Sequence, residues 1–218
     1  MFGKASLALT VSLFLAVSVC GEVFQIPKDW TGKDKTSDNN PVKVADKPMW
    51  RFDRLWPDDP YDAEAYQPMV WSNGQWVGKD HNFGGQPAAS YSRSTLTFAA
   101  RSGWGGGGDG DGYKLPALAF IPPKAGKYKV QGTVAAEFWS GGGTVKLVLL
   151  TRDVKKKDVT EVKALSFSND PEGNKPQDLA DIEVTLAEGQ ELIITAVMAN
   201  QNTGVTYTVT KFRIVSAE

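Results

Sequence analysis

The sequence predicts an all-β protein, an antiparallel β-sandwich of the jelly-roll type. Apolar and polar residues alternate through many short segments of the 218-residue chain, which is typical of strands with one buried and one wet face. No segment shows the 3.6-residue period of an amphipathic helix. The chain also holds 22 glycines and 7 tryptophans, a composition typical of all-β proteins with many turns. Together these observations predict a two-sheet sandwich.

The clearest strand is predicted over 127–139. Tyr128, Val130 and Val134 share one face of it, whereas mostly polar and charged residues alternate on the other face. Further strands are predicted near 91–100, 117–121, 144–151, 159–168, 181–187, 190–198 and 204–215.

The last of these strands contains a break in its alternation. Tyr207 and Val209 fall out of step with Phe212 and Ile214, and one extra residue near Thr210 restores the pattern. We therefore expect a β-bulge at this point of the strand.

The segment 49–90 is predicted to be an irregular, tryptophan-rich lead-in to the sandwich. Eight aromatic residues are interspersed there with four prolines, and proline interrupts helices and central strands. Short strands are expected near 68–72 and 75–78, because the Asn73–Gly74 pair between apolar flanks favours a hairpin.

Two segments are predicted to precede the sandwich domain at 49–218. They are a secretory signal peptide at 1–21 and a polar arm or linker at 22–48. Lys4 precedes an apolar run that is shorter than the ~20 residues a membrane span needs, and small residues follow the run. The protein is therefore expected to be secreted to an extracellular or periplasmic site, with no transmembrane segment after removal of the signal.

Cys20 is the only cysteine in the chain, and cleavage after Cys20 or Gly21 removes it. The mature protein then has no thiol for a disulfide, a thiolate zinc site or a nucleophile, which suits a bacterial secreted protein. A lipoprotein anchored through Cys20 is the alternative. Val19 fits poorly with the small residue that such sites have before the cysteine.

The sequence offers little for nucleic-acid binding or catalysis. Its 24 Lys and Arg residues balance 25 Asp and Glu residues, so a surface that neutralises nucleic-acid phosphates is not expected. The single histidine, His81, excludes a multi-histidine metal site. His81, Tyr91 and Arg93 could serve a polysaccharide lyase, and two carboxylates could serve a glycosidase, so an enzyme stays open. The same three residues are candidate ligand contacts in a binding protein.

The glycine run GWGGGGDGDGY at 103–113 is interpreted as a loop between strands. It lacks the Gly-Lys-Ser/Thr of a P-loop and the helix that follows a dinucleotide motif. Asp109 and Asp111 fit the first positions of an EF-hand loop, but Tyr113 and Phe120 stand where oxygen ligands are needed. No cofactor is therefore expected, and a looser calcium site at Asp109 and Asp111 stays open.

Four tryptophans are expected to be exposed and to contact a ligand, because glycine or polar residues flank them. Trp104 lies inside the glycine run, Trp71 and Trp76 bracket the SNGQ turn, and Trp139 ends a strand ahead of three glycines. Exposed aromatic rings with polar neighbours suit the C–H faces and hydroxyls of sugars.

Several segments resemble the jelly rolls of secreted carbohydrate-binding modules in bacterial extracellular proteins. PALAFIPPKAGKYKVQG at 116–132 is similar to the start of their sandwich, and VTLAEGQELIITAVM at 184–198 is similar to their later hairpin. WRFDRLW and MVWSNGQW resemble the lead-in of such domains, and the likeness covers about 50–215. The resemblance implies a jelly-roll fold and an extracellular setting, and it names no specific ligand.

The leading prediction is a secreted, non-catalytic module that binds a polysaccharide or a cell-surface glycan. The alternative is a structural or adhesive cell-envelope protein that uses the edge or face of the sandwich for protein contacts. A polysaccharide-degrading enzyme is the third hypothesis. The sequence leaves the oligomeric state open.

Overall fold

The computed structural model describes residues 21–26, 40–44, 47–55, 59–72, 75–77, 88–92, 95–101, 115–180, 182–198 and 204–217. Every regular element among these residues is a β-strand, and none of them belongs to an apolar helix of membrane-spanning length. The strands are β1 (Val23–Phe24), β2 (Val42–Val44), β3 (Lys47–Leu55), β4 (Tyr66–Pro68), β5 (Val70–Ser72), β6 (Gln75–Val77), β7 (Ala88–Ser92), β8 (Thr95–Arg101), β9 (Pro116–Phe120), β10 (Gly126–Ser140), β11 (Thr144–Asp153), β12 (Asp158–Ser168), β13 (Gln177–Asp178), β14 (Ile182–Leu186), β15 (Gln190–Met198) and β16 (Gly204–Ala217).

The described strands form two antiparallel sheets that pack face to face. The nine-stranded sheet has the order β13-β10-β16-β8-β7-β6-β5, with β1 paired to β16 and β14 paired to β10. The seven-stranded sheet has the order β12-β11-β15-β9-β3-β2, with β4 paired to β3. The chain passes from one sheet to the other between β8 and β9, between β9 and β10, and between β10 and β11. The predicted all-β antiparallel sandwich is therefore confirmed.

The alternation of β10 shows how the sequence builds the sandwich. Tyr128, Val130 and Val134 are buried against the other sheet, whereas Lys127 and Glu137 on the opposite face are exposed. This is the strand predicted over 127–139, and its buried face forms one wall of the core.

Aromatic rings from both sheets meet in the core. The ring centre of Trp50 lies 4.9 Å from that of Phe120 and 6.0 Å from that of Phe212, and Phe52 lies 6.0 Å from Trp76. All five side chains are at most 2% exposed. Burial of such large rings, in tilted and edge-on contacts, ties the sheets together.

The lead-in is more regular than its prolines suggest. Lys47–Leu55 forms a nine-residue strand, β3, between β9 and β2. Arg51 and Asp53 alternate with Trp50 and Phe52, which resembles a strand with one wet face, yet Asp53 is fully buried too. A full strand therefore stands where irregular structure was predicted. Both of its faces are covered, so its sequence does not show the simple alternation of a strand with one wet face.

The predicted polar arm contributes to the sandwich. Val23–Phe24 pairs with β16, and Phe24 and Ile26 are both buried. Val42–Val44 pairs with β3. Much of the arm, and the predicted signal peptide up to Cys20, lie outside the described residues.

The single strand predicted over 91–100 is wrong, because this stretch contains a chain reversal. β7 ends at Ser92 and β8 begins at Thr95, and these two residues pair with each other. A connection of only two residues leaves the alternation unbroken, so the hydropathy pattern did not show the reversal.

The predicted bulge near Thr210 is confirmed. The register of β10 against β16 shifts between Gln131 and Thr133, opposite Lys211 and Phe212. Lys211 has a left-handed backbone conformation with a φ of 54°, which is uncommon outside glycine. As a result, Thr210 and Lys211 are both exposed while Phe212 is buried.

Candidate functional site

Threonines line the outer face of the nine-stranded sheet. The strand register places Thr95, Thr210 and Thr133 in one row across β8, β16 and β10. Neighbouring residues of one row lie about 4.8 Å apart, and successive rows lie about 7 Å apart along the strands. All members of this surface are partly or fully exposed. The threonine face consists of Thr95, Thr97, Ala99, Thr133, Ala135, Glu137, Thr206, Thr208 and Thr210.

Trp139 stands at one end of the threonine face. Phe138 pairs with Val205 and Ser140 pairs with Gly204, which leaves Trp139 as the extra residue of a second register shift between β10 and β16. Its side chain is 48% exposed, as predicted. Bulges of this kind re-aim side chains at sheet edges and beside binding sites.

The exposure predicted for Trp76 is wrong. Trp76 is 0% exposed, and its ring packs 6.0 Å from that of Phe52. Trp76 pairs with Ala89 in a row that continues through Phe98 and Tyr207, and every member of this row is buried. Polar neighbours in the sequence do not expose a residue that strand alternation turns toward the core.

Trp71 and Tyr91 lie in strands of the same sheet as Trp76. Trp71 pairs with Trp76, and Tyr91 pairs with Leu96, but the side chains of Trp71 and Tyr91 lie outside the description. The strand that carries Trp76 is four strands away from β10, about 19 Å at the usual strand spacing. The structure therefore does not bring Trp76 and Trp139 together.

Five predicted site residues lie outside the described residues: Trp104, His81, Arg93, Asp109 and Asp111. Their roles stay predictions, including the open calcium site. Among the residues that the structure describes, no group of three or more histidine, cysteine, aspartate or glutamate side chains could hold a metal ion.

A cluster of charged side chains lies on the outer face of the seven-stranded sheet, on the other side of the sandwich. Arg51 donates from Nε to both oxygens of Asp53 at 2.8 Å, and from Nη1 and Nη2 to Glu191 at 3.0 and 2.9 Å. Arg152 Nη2 lies 3.3 Å from Glu191, and its guanidinium lies 4.6 Å from the ring centre of Tyr66. We call Arg51, Asp53, Arg152 and Glu191 the charge cluster.

The charge cluster links β3, β11 and β15 through buried ion pairs. Burial raises the pKa of Asp53, against the opposing charge of Arg51. Burial by itself lowers the pKa of Arg51, but the carboxylates of Asp53 and Glu191 outweigh it and hold that pKa above its usual range. Each carboxylate is bonded to an arginine and withdrawn from solvent. Asp53 and Glu191 are therefore not an accessible carboxylate pair of the kind that a glycosidase uses.

The segment 59–66 packs near this cluster. The Tyr66 hydroxyl donates to the carbonyl oxygen of Pro60 at 2.6 Å, and the Tyr61 hydroxyl donates to Glu161 at 2.5 Å. Burial, together with the hydrogen bond to Glu161, raises the pKa of Tyr61 to about 12. Tyr61 is still 46% exposed, so it is a second exposed ring, outside the threonine face.

No protein-family model matches the chain, and no curated protein matches it in sequence. Solved structures similar to it include "Carbohydrate binding module family29", 13% identical over 77% of this chain and 88% of that chain, with a TM-score of 0.34. A second, "CBM4 structure and function", is 11% identical over 85% and 99% of the two chains, with a TM-score of 0.37. A third, the non-crystalline cellulose-specific module CBM28, is 11% identical over 58% and 79%, with a TM-score of 0.32.

All three are carbohydrate-binding modules by their names, which is the class of domain that the sequence resembles. At such TM-scores the likeness carries no information about a ligand or an activity. The fold class itself follows from the strands and their pairing in this chain.

The sequence predictions missed the threonine face, although its signal was present. Thr206, Thr208 and Thr210 alternate in TYTVT, and Thr95 and Thr97 alternate in TLT. Threonines on the wet positions of paired strands form a hydroxyl-bearing surface. What the sequence did not show is that β8, β16 and β10 are neighbours.

Proposed function

We propose that the protein is a secreted, non-catalytic module that binds a polysaccharide or a cell-surface glycan on the threonine face. The observation that carries the proposal is Trp139, half exposed at the end of that face. An aromatic ring offers a flat apolar platform to the C–H face of a sugar, and nearby polar groups fix its hydroxyls. The threonine hydroxyls and the Glu137 carboxylate supply these donors and acceptors.

The shape of the face favours a linear glycan chain. The part of β10 from Gln131 to Trp139 spans about 26 Å, at about 3.3 Å per residue. The threonines of the neighbouring strands β16 and β8 lie alongside this part of β10. A chain of several sugars lying along β10 would therefore contact both the ring and the hydroxyls.

Trp104 is proposed as a second ring of the same site. β8 ends at Arg101, which pairs with Gly204, and Gly204 pairs with Ser140 next to Trp139. Trp104 follows Arg101 by three residues in the sequence, which is why it is proposed for this end of the threonine face.

Trp139→Ala is expected to weaken glycan binding at least about tenfold, because the loss of an aromatic ring that packs on a ligand costs about 1.4 kcal/mol or more. The measurement is isothermal titration calorimetry of the full chain against soluble β-glucan, xylan, glucomannan and polygalacturonate. Circular dichroism checks that the variant keeps its fold.

Tyr61→Ala is the matched control, since it removes another half-exposed ring that does not belong to the threonine face. Its glycan affinity is expected to equal that of the wild type. Equal weakening by both substitutions, or no binding of any polysaccharide in the panel, would contradict the proposal.

The alternative of a structural envelope protein would use an accessible strand edge. β12 is the long edge strand of the seven-stranded sheet, and it carries Asp158, Glu161 and Lys163. Its register against β11 also shifts between Leu149 and Leu150. Charged side chains and bulges disfavour edge-to-edge pairing, so this edge gives the alternative no support.

A further inference from the structure

A depression of about 510 Å³ opens at the end of the threonine face opposite Trp139. It lies at the bulge between β10 and β16, where Phe212 contributes its apolar wall. The surrounding side chains are polar or charged: Gln25, Gln131, Thr133, Asp178, Lys211 and Arg213.

The bulge turns two cations toward this depression. If the alternation of buried Tyr207 and Val209 continued, Lys211 and Arg213 would face the core. The extra residue reverses the phase, so that Phe212 is buried and both cations are exposed. Lys211 holds a φ of 54°, and residues in such strained conformations cluster at binding sites.

Gly132 helps to fix the opposite wall. Its φ is 153°, and a side chain there would lie 3.1 Å from the carbonyl oxygen of Thr210. The Gly132 carbonyl accepts a hydrogen bond from the Leu179 amide at 2.8 Å, and Thr133 Oγ1 donates to Asp178 Oδ1 at 2.7 Å. The segment that carries Asp178 is thereby held on the far side of β10 from the two cations.

The depression is thus divided into a positive side and a negative side. Lys211 and Arg213 supply the two cations from β16, and Arg213 donates from Nε to Gln131 Oε1 of β10 at 2.5 Å. Asp178 supplies carboxylate acceptors on the other side. A ligand that suits both sides carries an anionic group at one end and hydroxyl donors at the other, whereas a small inorganic anion would be repelled by Asp178.

We propose that this depression binds a uronate residue of an acidic polysaccharide. The carboxylate would lie on Lys211 and Arg213, since a guanidinium fork suits a carboxylate, and the ring hydroxyls would donate to Asp178 and Gln131. This inference rests on the proposed function and deepens it. The depression and Trp139 lie about 23 Å apart along β10, so that one linear chain can contact both.

Lys211→Gly is expected to weaken the binding of trigalacturonate about tenfold or more, because one of two cation contacts to the carboxylate is lost. Glycine suits a φ of 54°, so the variant keeps its stability and a loss of affinity is not a loss of fold. Lys211→Arg is expected to bind within a few-fold of the wild type. The measurement is isothermal titration calorimetry of the full chain with trigalacturonate and with its methyl ester, which has lost the charge and is expected to bind weakly.

Lys146→Ala is the matched control, because it removes the same charge from an exposed position on the other sheet. Unchanged affinity in Lys211→Gly, equal loss in Lys146→Ala, or equal binding of acid and methyl ester overturns the inference. If neutral polysaccharides bind through Trp139 while Lys211→Gly has no effect on trigalacturonate, only the uronate site fails. If nothing in the polysaccharide panel binds, the proposed function itself fails.

Discussion

Glu191→Ala is expected to lower the free energy of unfolding by about 3–5 kcal/mol. The substitution takes the bidentate partner from Arg51 and the acidic partner from Arg152. Arg152 Nε and Nη1 are buried and have no hydrogen-bond partner among the described residues, and the loss of Glu191 would also take away its ion-pair partner. A buried charge without a partner loses hydration that nothing replaces. Urea denaturation followed by circular dichroism measures the effect.

Glu183→Ala is the control for this prediction. Glu183 forms an ion pair with Lys127 at 3.2 Å, and both side chains are about half exposed, at 47% and 58%. Water screens such a pair, and its loss costs less than about 1 kcal/mol. An equal decrease in the free energy of unfolding of the two variants would show that the buried ion pairs of the charge cluster do not stabilise the fold. If Glu191→Ala does not fold, Glu191→Gln keeps the volume, and a smaller loss is expected from it.

Trp76→Ala is expected to destabilise the protein by about 3–5 kcal/mol, the usual effect of removing a large buried ring. Trp76 is fully buried against Phe52, so its removal takes away contacts between the sheets and leaves a cavity. Trp139→Ala is expected to change the free energy of unfolding by less than about 1 kcal/mol, because its ring is half in water.

The same denaturation experiment tests both tryptophans. The reverse order, with Trp139→Ala the more destabilising variant, would contradict the assignment of Trp76 to the core and of Trp139 to the surface. Trp76→Phe keeps part of the buried ring and is expected to fall between the wild type and Trp76→Ala.

The predictability of each strand follows from how its two faces are covered. β10 has one buried and one wet face, so alternation from Tyr128 to Val134 was enough to place it. β3 is covered on both faces, and its buried charges Arg51 and Asp53 look like surface residues in the sequence. Glu191, the other partner of Arg51, lies 140 residues away in the chain, and no local pattern joins the two.

The candidate site was predictable only in part, for a related reason. The exposure of Trp139 was predicted correctly, because the glycines that follow it mark the end of its strand, where a side chain is less covered. Trp76 was misplaced because its orientation depends on the row that it shares with Phe98 and Tyr207. The bulge near Thr210 was visible as a break in alternation, but the depression beside it also needs Asp178 from a distant segment.

The central claim is that the threonine face binds a glycan. The most direct measurement is mapping of amide chemical shifts by NMR, with the full chain titrated by an oligosaccharide of whichever polysaccharide binds most tightly in the panel. We expect the largest changes along β10 and β16, at residues from Trp139 and Thr206 as far as Thr210. If the largest changes lie instead on the seven-stranded sheet, around Tyr61 and β12, the threonine face is not the binding site.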